Sequence, residues 1–276
     1  MKTLLAKNNI MLTKARGQNF IINPSICPRM AELCGAGPDD GILEIGPGIG
    51  VLTAELAKIA EKVVSIEVDS GLLPVLADTL SDFDNVEIVH ADAMKLDLKS
   101  LIKEKFKNRK VYVCANLPYY ISTPLIMMFL ENDLPISGMT VMVQKEFAGR
   151  ITAPVGSRQS GAVTVAAAYY AKAEKLFEVS SGSFFPAPKV DSIVMKLTPH
   201  ENPPVVLRNK KFFFRLVNAG FCQRRKTLQN SLCSGLGVSK EAVSNALVSM
   251  DKSPSARVEE LNLQELARLS DVLINE

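Results

Sequence analysis

The stretch Ile42-Leu43-Glu44-Ile45-Gly46-Pro47-Gly48-Ile49-Gly50-Val51-Leu52-Thr53 reads as a buried strand, a glycine-rich turn and the start of a helix. A strand that runs straight into a helix is the repeating step of a parallel α/β sheet, so this segment narrows the fold more than any other. Glycines at this spacing let a ligand lie against bare backbone, and the N–H groups of a helix start attract a carboxylate or a phosphate. The dinucleotide fingerprint G-x-G-x-x-G fails here. Counted from Gly46 its third position is Val51, and counted from Gly48 it is Thr53. The Walker A pattern fails as well, because no Gly-Lys-Ser/Thr follows.

Apolar strands recur after this first unit, near Gly41–Gly46, Lys62–Val68, Val86–Asp92, Val111–Leu117, Met139–Gln144, Glu174–Val179 and Ser192–Leu197. Their alternation with helical patterns implies an α/β fold, a mostly parallel sheet with helices on both faces. The last two strands are joined by a Pro-rich segment rather than a helix, which predicts an antiparallel hairpin at the sheet edge. Thr198-Pro199-His200-Glu201-Asn202-Pro203-Pro204 is a turn-rich linker. Beyond it the pattern is helical over Phe212–Ser231, Lys240–Ser249 and Asn262–Ile274, and Asn262 with Glu265 has the spacing of a capping box. The expected division is therefore a sheet domain over residues 1–200 and a small all-helical domain over 201–276.

Four successive strand ends carry polar groups. The glycine turn comes first, then Glu67 about 20 residues on, where an acid grips ribose hydroxyls, then Asp92, suited to accept from an amino group. The fourth strand ends in Asn116-Leu117-Pro118-Tyr119. Its side-chain amide oxygen and the Leu117 carbonyl are two acceptors for an amino group attached to a flat ring, and Tyr119 offers a face on which that ring can stack. Each feature alone has a plain structural explanation: Asn and Pro are turn residues, and an acid after a strand caps helices. Ligands of open α/β sheets bind at the carboxyl ends of the strands, and all four sets fall there.

The pattern E-x-G-x-G-x-G resembles motif I of S-adenosylmethionine-dependent methyltransferases. Taken with Gly17-Gln18-Asn19-Phe20, Asn116-Leu117-Pro118-Tyr119-Tyr120, Gln144-Lys145-Glu146 with Arg150, and Phe184-Phe185-Pro186-Ala187-Pro188-Lys189-Val190-Asp191-Ser192, the chain from about Lys14 onward closely resembles the ribosomal RNA adenine N6,N6-dimethyltransferase family. The resemblance implies a Rossmann-like class I methyltransferase fold and S-adenosyl-L-methionine as cofactor. It further implies dimethylation of two adjacent adenines near the 3′ end of 16S ribosomal RNA in the small subunit. Family cofactor contacts map onto Asn19, Ile21, Gly46, Gly48, Glu67, Asp92 and Asn116. Catalytic, base-holding contacts map onto Asn116, Leu117, Tyr119 and Phe184. Two other readings share these features. One is a macrolide-resistance methyltransferase acting on a large-subunit adenine, and the other is a ribosome-assembly factor in which methylation is secondary.

Charge and composition bear on the partner. The formal net charge is only +3, yet Asn202 to Lys240 contains no acid and carries Arg208, Lys210, Lys211, Arg215, Arg224, Arg225, Lys226 and Lys240. The first 31 residues also lack acids and carry Lys2, Lys7, Lys14, Arg16 and Arg29. One-sided stretches of this kind are the footprint of phosphate-backbone contact, and Arg224-Arg225-Lys226 is the densest. The five cysteines include no C-x-x-C, and the two histidines lie far apart, so reduced thiols, a cytoplasmic location and no metal site are expected. No apolar run approaches the ~20 residues that span a membrane, and a monomer is expected.

Overall fold

The computed structural model describes residues 19–274, so the basic arm with Lys2, Lys7, Lys14 and Arg16 lies outside the described residues. The main sheet has seven strands. They are β2 (Gly41–Ile45), β3 (Lys62–Glu67), β4 (Val86–His90), β5 (Val111–Asn116), β6 (Gly138–Gln144), β7 (Ala171–Val179) and β9 (Ser192–Pro199). Their spatial order is β4-β3-β2-β5-β6-β9-β7. The pairs β2–β3, β3–β4, β2–β5 and β5–β6 are parallel. Strand β9 runs antiparallel to β6, from Met139↔Leu197 to Gln144↔Ser192, with β7 beyond it at the edge. The central strands read as unbroken apolar runs because helices cover both faces of a parallel sheet. Strand β2 is buried along its whole length.

Two short strands, β1 (Phe20–Ile21) and β8 (Phe184–Phe185), form a separate antiparallel pair with Phe20↔Phe185 and Ile21↔Phe184. They tie the start of the described chain to the Pro-rich segment that precedes β9.

The chain divides into two compact units. The first runs to Ala148 and also takes Glu174–Pro199. The second takes Gly149–Ala173 and the chain from His200 onward. The single cut at residue 200 expected from the sequence therefore gains an exchange: the helix Ala162–Tyr170 packs with the helical unit. Val165 is in that unit's core, and Ala162 and Ala168 lie against it. The segment AVTVAAAYY is apolar almost all round, so its periodicity does not reveal which core it joins.

In the second unit the helices are Lys210–Cys222, Leu228–Leu236, Lys240–Val248 and Leu263–Leu273. The one helix expected over Phe212–Ser231 is thus two, separated by a turn that holds Arg224, Arg225 and Lys226. Gln223 through Thr227 supplies no buried side chain to hold a further turn, whereas Phe213, Leu216 and Val217 on one side and Leu228 and Leu232 on the other are core residues. The helix Lys210–Cys222 comes close to the turn Val258–Glu260 at Gly220, where a Cβ would lie 2.8 Å from Val258 Cγ2. The capping box forms: Asn262 N donates to Glu265 Oε2 and Glu265 N to Asn262 Oδ1, both at 2.9 Å.

Candidate active site

Strand β2 pairs with both β3 and β5, so the sheet changes direction of winding there, the place where an open α/β sheet leaves a crevice. A cavity of about 410 Å³ occupies the carboxyl ends of these strands. Asn19, Ile21, Gly46, Gly48, Glu67, Asp92, Asn116, Leu117 and Tyr119 all line it, although they are spread from residue 19 to residue 119 of the chain.

The glycine turn forms the cavity floor. Gly46 has φ +71°, and a Cβ there would meet nothing within 4 Å, so the backbone faces open space that a ligand can fill. Gly48 has φ +61° and lies under the Phe20 ring, 3.3 Å from where a Cβ would stand. A side chain at Gly48 would be strained and would push on β1.

Glu67 at the end of β3 is 4% exposed, and burial pushes its pKa up. The amides of Asp69, at 2.7 Å, and of Gly48 and Val68 work against that rise. The same carboxylate therefore steadies the glycine turn and faces the cavity. Asp92 accepts from the Met94 amide at 3.0 Å and sits 3.6 Å from Lys95 Nζ, so it both closes a turn and lines the site. Glu44 lies deeper. It is 1% exposed and accepts at Oε2 from Thr53 Oγ1 and Ser65 Oγ, both at 2.7 Å. Burial is the main force pushing its pKa up to about 7, with the Glu67 charge adding to it.

At the end of β5, Asn116 Nδ2 donates to the Asn19 carbonyl at 3.4 Å. That contact directs the amide oxygen, the acceptor, the other way. The Leu117 side chain is buried and its N–H donates to the Met142 carbonyl, so what Leu117 offers the cavity is backbone. The next carbonyl, of Pro118, is taken by Ile121 N and Ser122 Oγ. The Tyr119 hydroxyl lies 2.6 Å from Ser192 Oγ on β9, a buried serine. The ring is thus fixed at its tip, and burial raises the phenol's pKa.

Phe184 is placed differently. It is 2% exposed, belongs to the core beside Met30, Leu56 and Val194, and is not part of the cavity wall. It supports Ile21 from behind through the β1–β8 pair. Arg224, Arg225 and Lys226 lie in the second unit, where Arg224 is engaged by Glu259 and by the Arg158 carbonyl. Arg225 and Lys226 are exposed.

Several lining residues carry signals that the sequence reading did not use. Val68 and Met94 follow the strand-end acids and are 58% and 39% exposed, and Tyr120 follows Tyr119 at 64%. Exposed apolar residues that gather in one cavity beside polar strand ends make a surface suited to a ligand. Ser192 had no local signal, since its role depends on a tyrosine 73 residues away.

Residues 11–274 match the family described as ribosomal RNA adenine dimethylase. A protein of Shouchella clausii named ribosomal RNA small subunit methyltransferase A is 46% identical over 273 residues, 98% of this chain and 92% of that protein. The protein of the same name in Geobacillus thermodenitrificans is 45% identical, over 99% and 94%. Among solved structures, a dimethyladenosine transferase from Plasmodium falciparum has a TM-score of 0.72 at 27% identity, covering 91% of this chain and 95% of that one. The 23S rRNA methyltransferase ErmE has a TM-score of 0.70 at 28% identity, over 93% and 100%. A match over nearly the whole length, with the strand-end residues gathered in one cavity, makes this chain a member of the ribosomal RNA adenine dimethylase family.

Proposed function

We propose that this chain transfers methyl groups from S-adenosylmethionine to the N6 amines of two adjacent adenines near the 3′ end of small-subunit ribosomal RNA, in the cytoplasm. The observation that carries this is a single cavity that joins a glycine cradle and a buried strand-end acid to Asn116, Leu117 and Tyr119. The cradle fits the cofactor. Gly46 leaves open space against bare backbone, Glu67 is an acceptor for ribose hydroxyls, and Asp92 lines the same cavity together with the exposed Val68 and Met94. When bound, S-adenosylmethionine supplies a methyl carbon on a sulfonium, which is already a good leaving group.

The chain's part is then mainly position. An exocyclic amine is a poor nucleophile because its lone pair is delocalised into the ring. Asn116 Oδ1 and the Leu117 carbonyl accept its two N–H bonds, a geometry in which the lone pair is free to attack. Tyr119 stacks on the ring, worth roughly 1–3 kcal/mol, and its anchor on Ser192 keeps that face from turning. The proton on the methylated nitrogen is acidic and leaves to water, so no strong base is required. Phe184 serves by holding Ile21 and Phe20 against the cradle.

Small-subunit RNA is favoured over large-subunit RNA because the small-subunit enzymes are 45–46% identical to this chain and ErmE is 28% identical. Tritiated methyl transfer to isolated small and large subunits, followed by nucleoside analysis, tests the reading. Label is expected in N6,N6-dimethyladenosine of the small subunit. Label confined to the large subunit would overturn the substrate, and label in neither would leave a binding protein.

A further inference from the structure

The carboxyl end of β5 leads into two tyrosines that are held in opposite ways. The backbone beneath them is fixed. Leu117 N donates to the Met142 carbonyl at 3.2 Å, and the Pro118 carbonyl accepts from Ile121 N at 3.1 Å and from Ser122 Oγ at 2.9 Å. On the 3₁₀ turn Tyr119–Ile121 so formed, Tyr119 is half-buried and its hydroxyl is tied to Ser192 Oγ. Tyr120 is 64% exposed, and among the described residues no hydrogen bond, ion pair or ring contact engages it. Both tyrosines line the same cavity.

Successive side chains of a 3₁₀ turn stand about 120° apart, so Tyr119 and Tyr120 leave the backbone in different directions and present separate faces. An exposed tyrosine alone is an ordinary surface residue. Tyr120 is both part of the cavity wall and open to solvent, so it stands where the cavity opens. A base that enters the cavity first leaves its neighbours in the strand, which costs stacking twice: once for the base itself, and once for the face it uncovers on the next base. Tyr119 offsets the first loss. The second needs another flat surface just outside the pocket, on a backbone that does not yield.

We propose that the Tyr120 ring stacks on a base flanking the target adenine, while that adenine lies on Tyr119. The proposal rests on the reading of the substrate as two adjacent adenines in small-subunit RNA. Stacking is tolerant of base identity because every base has a π-face, so the contact requires that a flanking base be present rather than that it be a particular one.

The test is single-turnover methyl transfer by the full chain to reconstituted small subunits. Three substrates are compared. One carries both adenines, and in each of the others one adenine of the pair is replaced by an abasic nucleotide, so that the remaining target lacks its 3′ or its 5′ neighbour. Tyr120→Ala should lower kcat/KM on the intact pair by about 5- to 150-fold, the range of one base stack. Tyr120→Phe, which keeps the ring, should recover most of that loss. The wild type should lose a similar factor on one of the abasic substrates, and Tyr120→Ala should lose almost nothing further on it. Calorimetric affinity for S-adenosylmethionine and the melting temperature should be the same in the wild type and in Tyr120→Ala. Full transfer by Tyr120→Ala, or losses that multiply on both abasic substrates, would overturn the contact. A fall in cofactor affinity that matches the fall in transfer would overturn it too, because the ring would then lie on the cofactor. Failure of the wild type to label intact small subunits would instead sink the substrate reading, and the proposal with it.

Discussion

Glu44 lies under the glycine turn with two hydroxyls on one oxygen and almost no water, and its pKa is pushed up to about 7. The folded value lies above the unfolded one, so the stability it contributes is full below the unfolded pKa and is lost as pH rises through about 7. The loss is on the order of 3 kcal/mol once the carboxylate is ionised. Glu44→Gln keeps an acceptor for Thr53 and Ser65, and its melting temperature should be nearly flat between about pH 6 and about pH 8 while that of the wild type falls. Parallel curves would mean that Glu44 ionises lower. At Glu67, alanine should weaken S-adenosylmethionine by about 2–4 kcal/mol in calorimetry, because it removes a charged acceptor and slackens the Gly48 turn together. Equal affinity would remove Glu67 from the site. The Tyr119 hydroxyl is an anchor, so Tyr119→Phe should lose about 1 kcal/mol in single-turnover methyl transfer, and Tyr119→Ala should lose the stack as well. If phenylalanine proved as damaging as alanine, the hydroxyl would be the active group. Strand-end chemistry made Gly46, Glu67, Asp92 and Asn116 legible in the sequence, because each follows an apolar run. The Ser192 anchor and the Asn19 carbonyl under Asn116 were not legible, since pairings across 73 and 97 residues leave no local pattern.

Strand, turn and helix each set limits of their own. Gly50 starts the helix Val51–Ala57 at φ +84°, and a Cβ there would stand 3.0 Å from Thr79 Oγ1 and 3.2 Å from Leu80. Gly50→Ala should therefore destabilise by roughly 1–3 kcal/mol in denaturant titration, and an unchanged midpoint would show that the turn relaxes freely. Phe184 offers a sharper distinction. If it acts through the β1–β8 pair, Phe184→Leu, which keeps much of the buried volume, should retain most methyl transfer, whereas Phe184→Ala should lose about 3–5 kcal/mol of stability. Abolished transfer in a stable Phe184→Leu would put the aromatic face against the base. Strand periodicity was readable because buried parallel strands are continuous apolar runs. The break between the helices Lys210–Cys222 and Leu228–Leu236 was not, because Gln, Arg and Lys are good helix formers and only the loss of core contacts stops them.

The two units do not follow the chain in order. The helical core includes Val165 from the inserted segment Gly149–Ala173, along with residues from Phe213 to Leu273. A fragment of residues 201–276 should thus melt with less cooperativity than the second unit does in the full chain, and adding back residues 149–173 should restore it. A sharp transition in the short fragment would show that the inserted helix is dispensable. The same interleaving sets an order of events during synthesis. Every residue on the cavity wall lies between Asn19 and Ile121, so all of them leave the ribosome early. The strand that holds Phe20 and Ile21 in place, and the serine that fixes Tyr119, are made only at Phe184–Phe185 and Ser192. At about 5–20 residues per second, the nascent chain carries a complete but unfastened wall for several seconds. A chain broken off before Phe184 would own every group of the site and none of its latches.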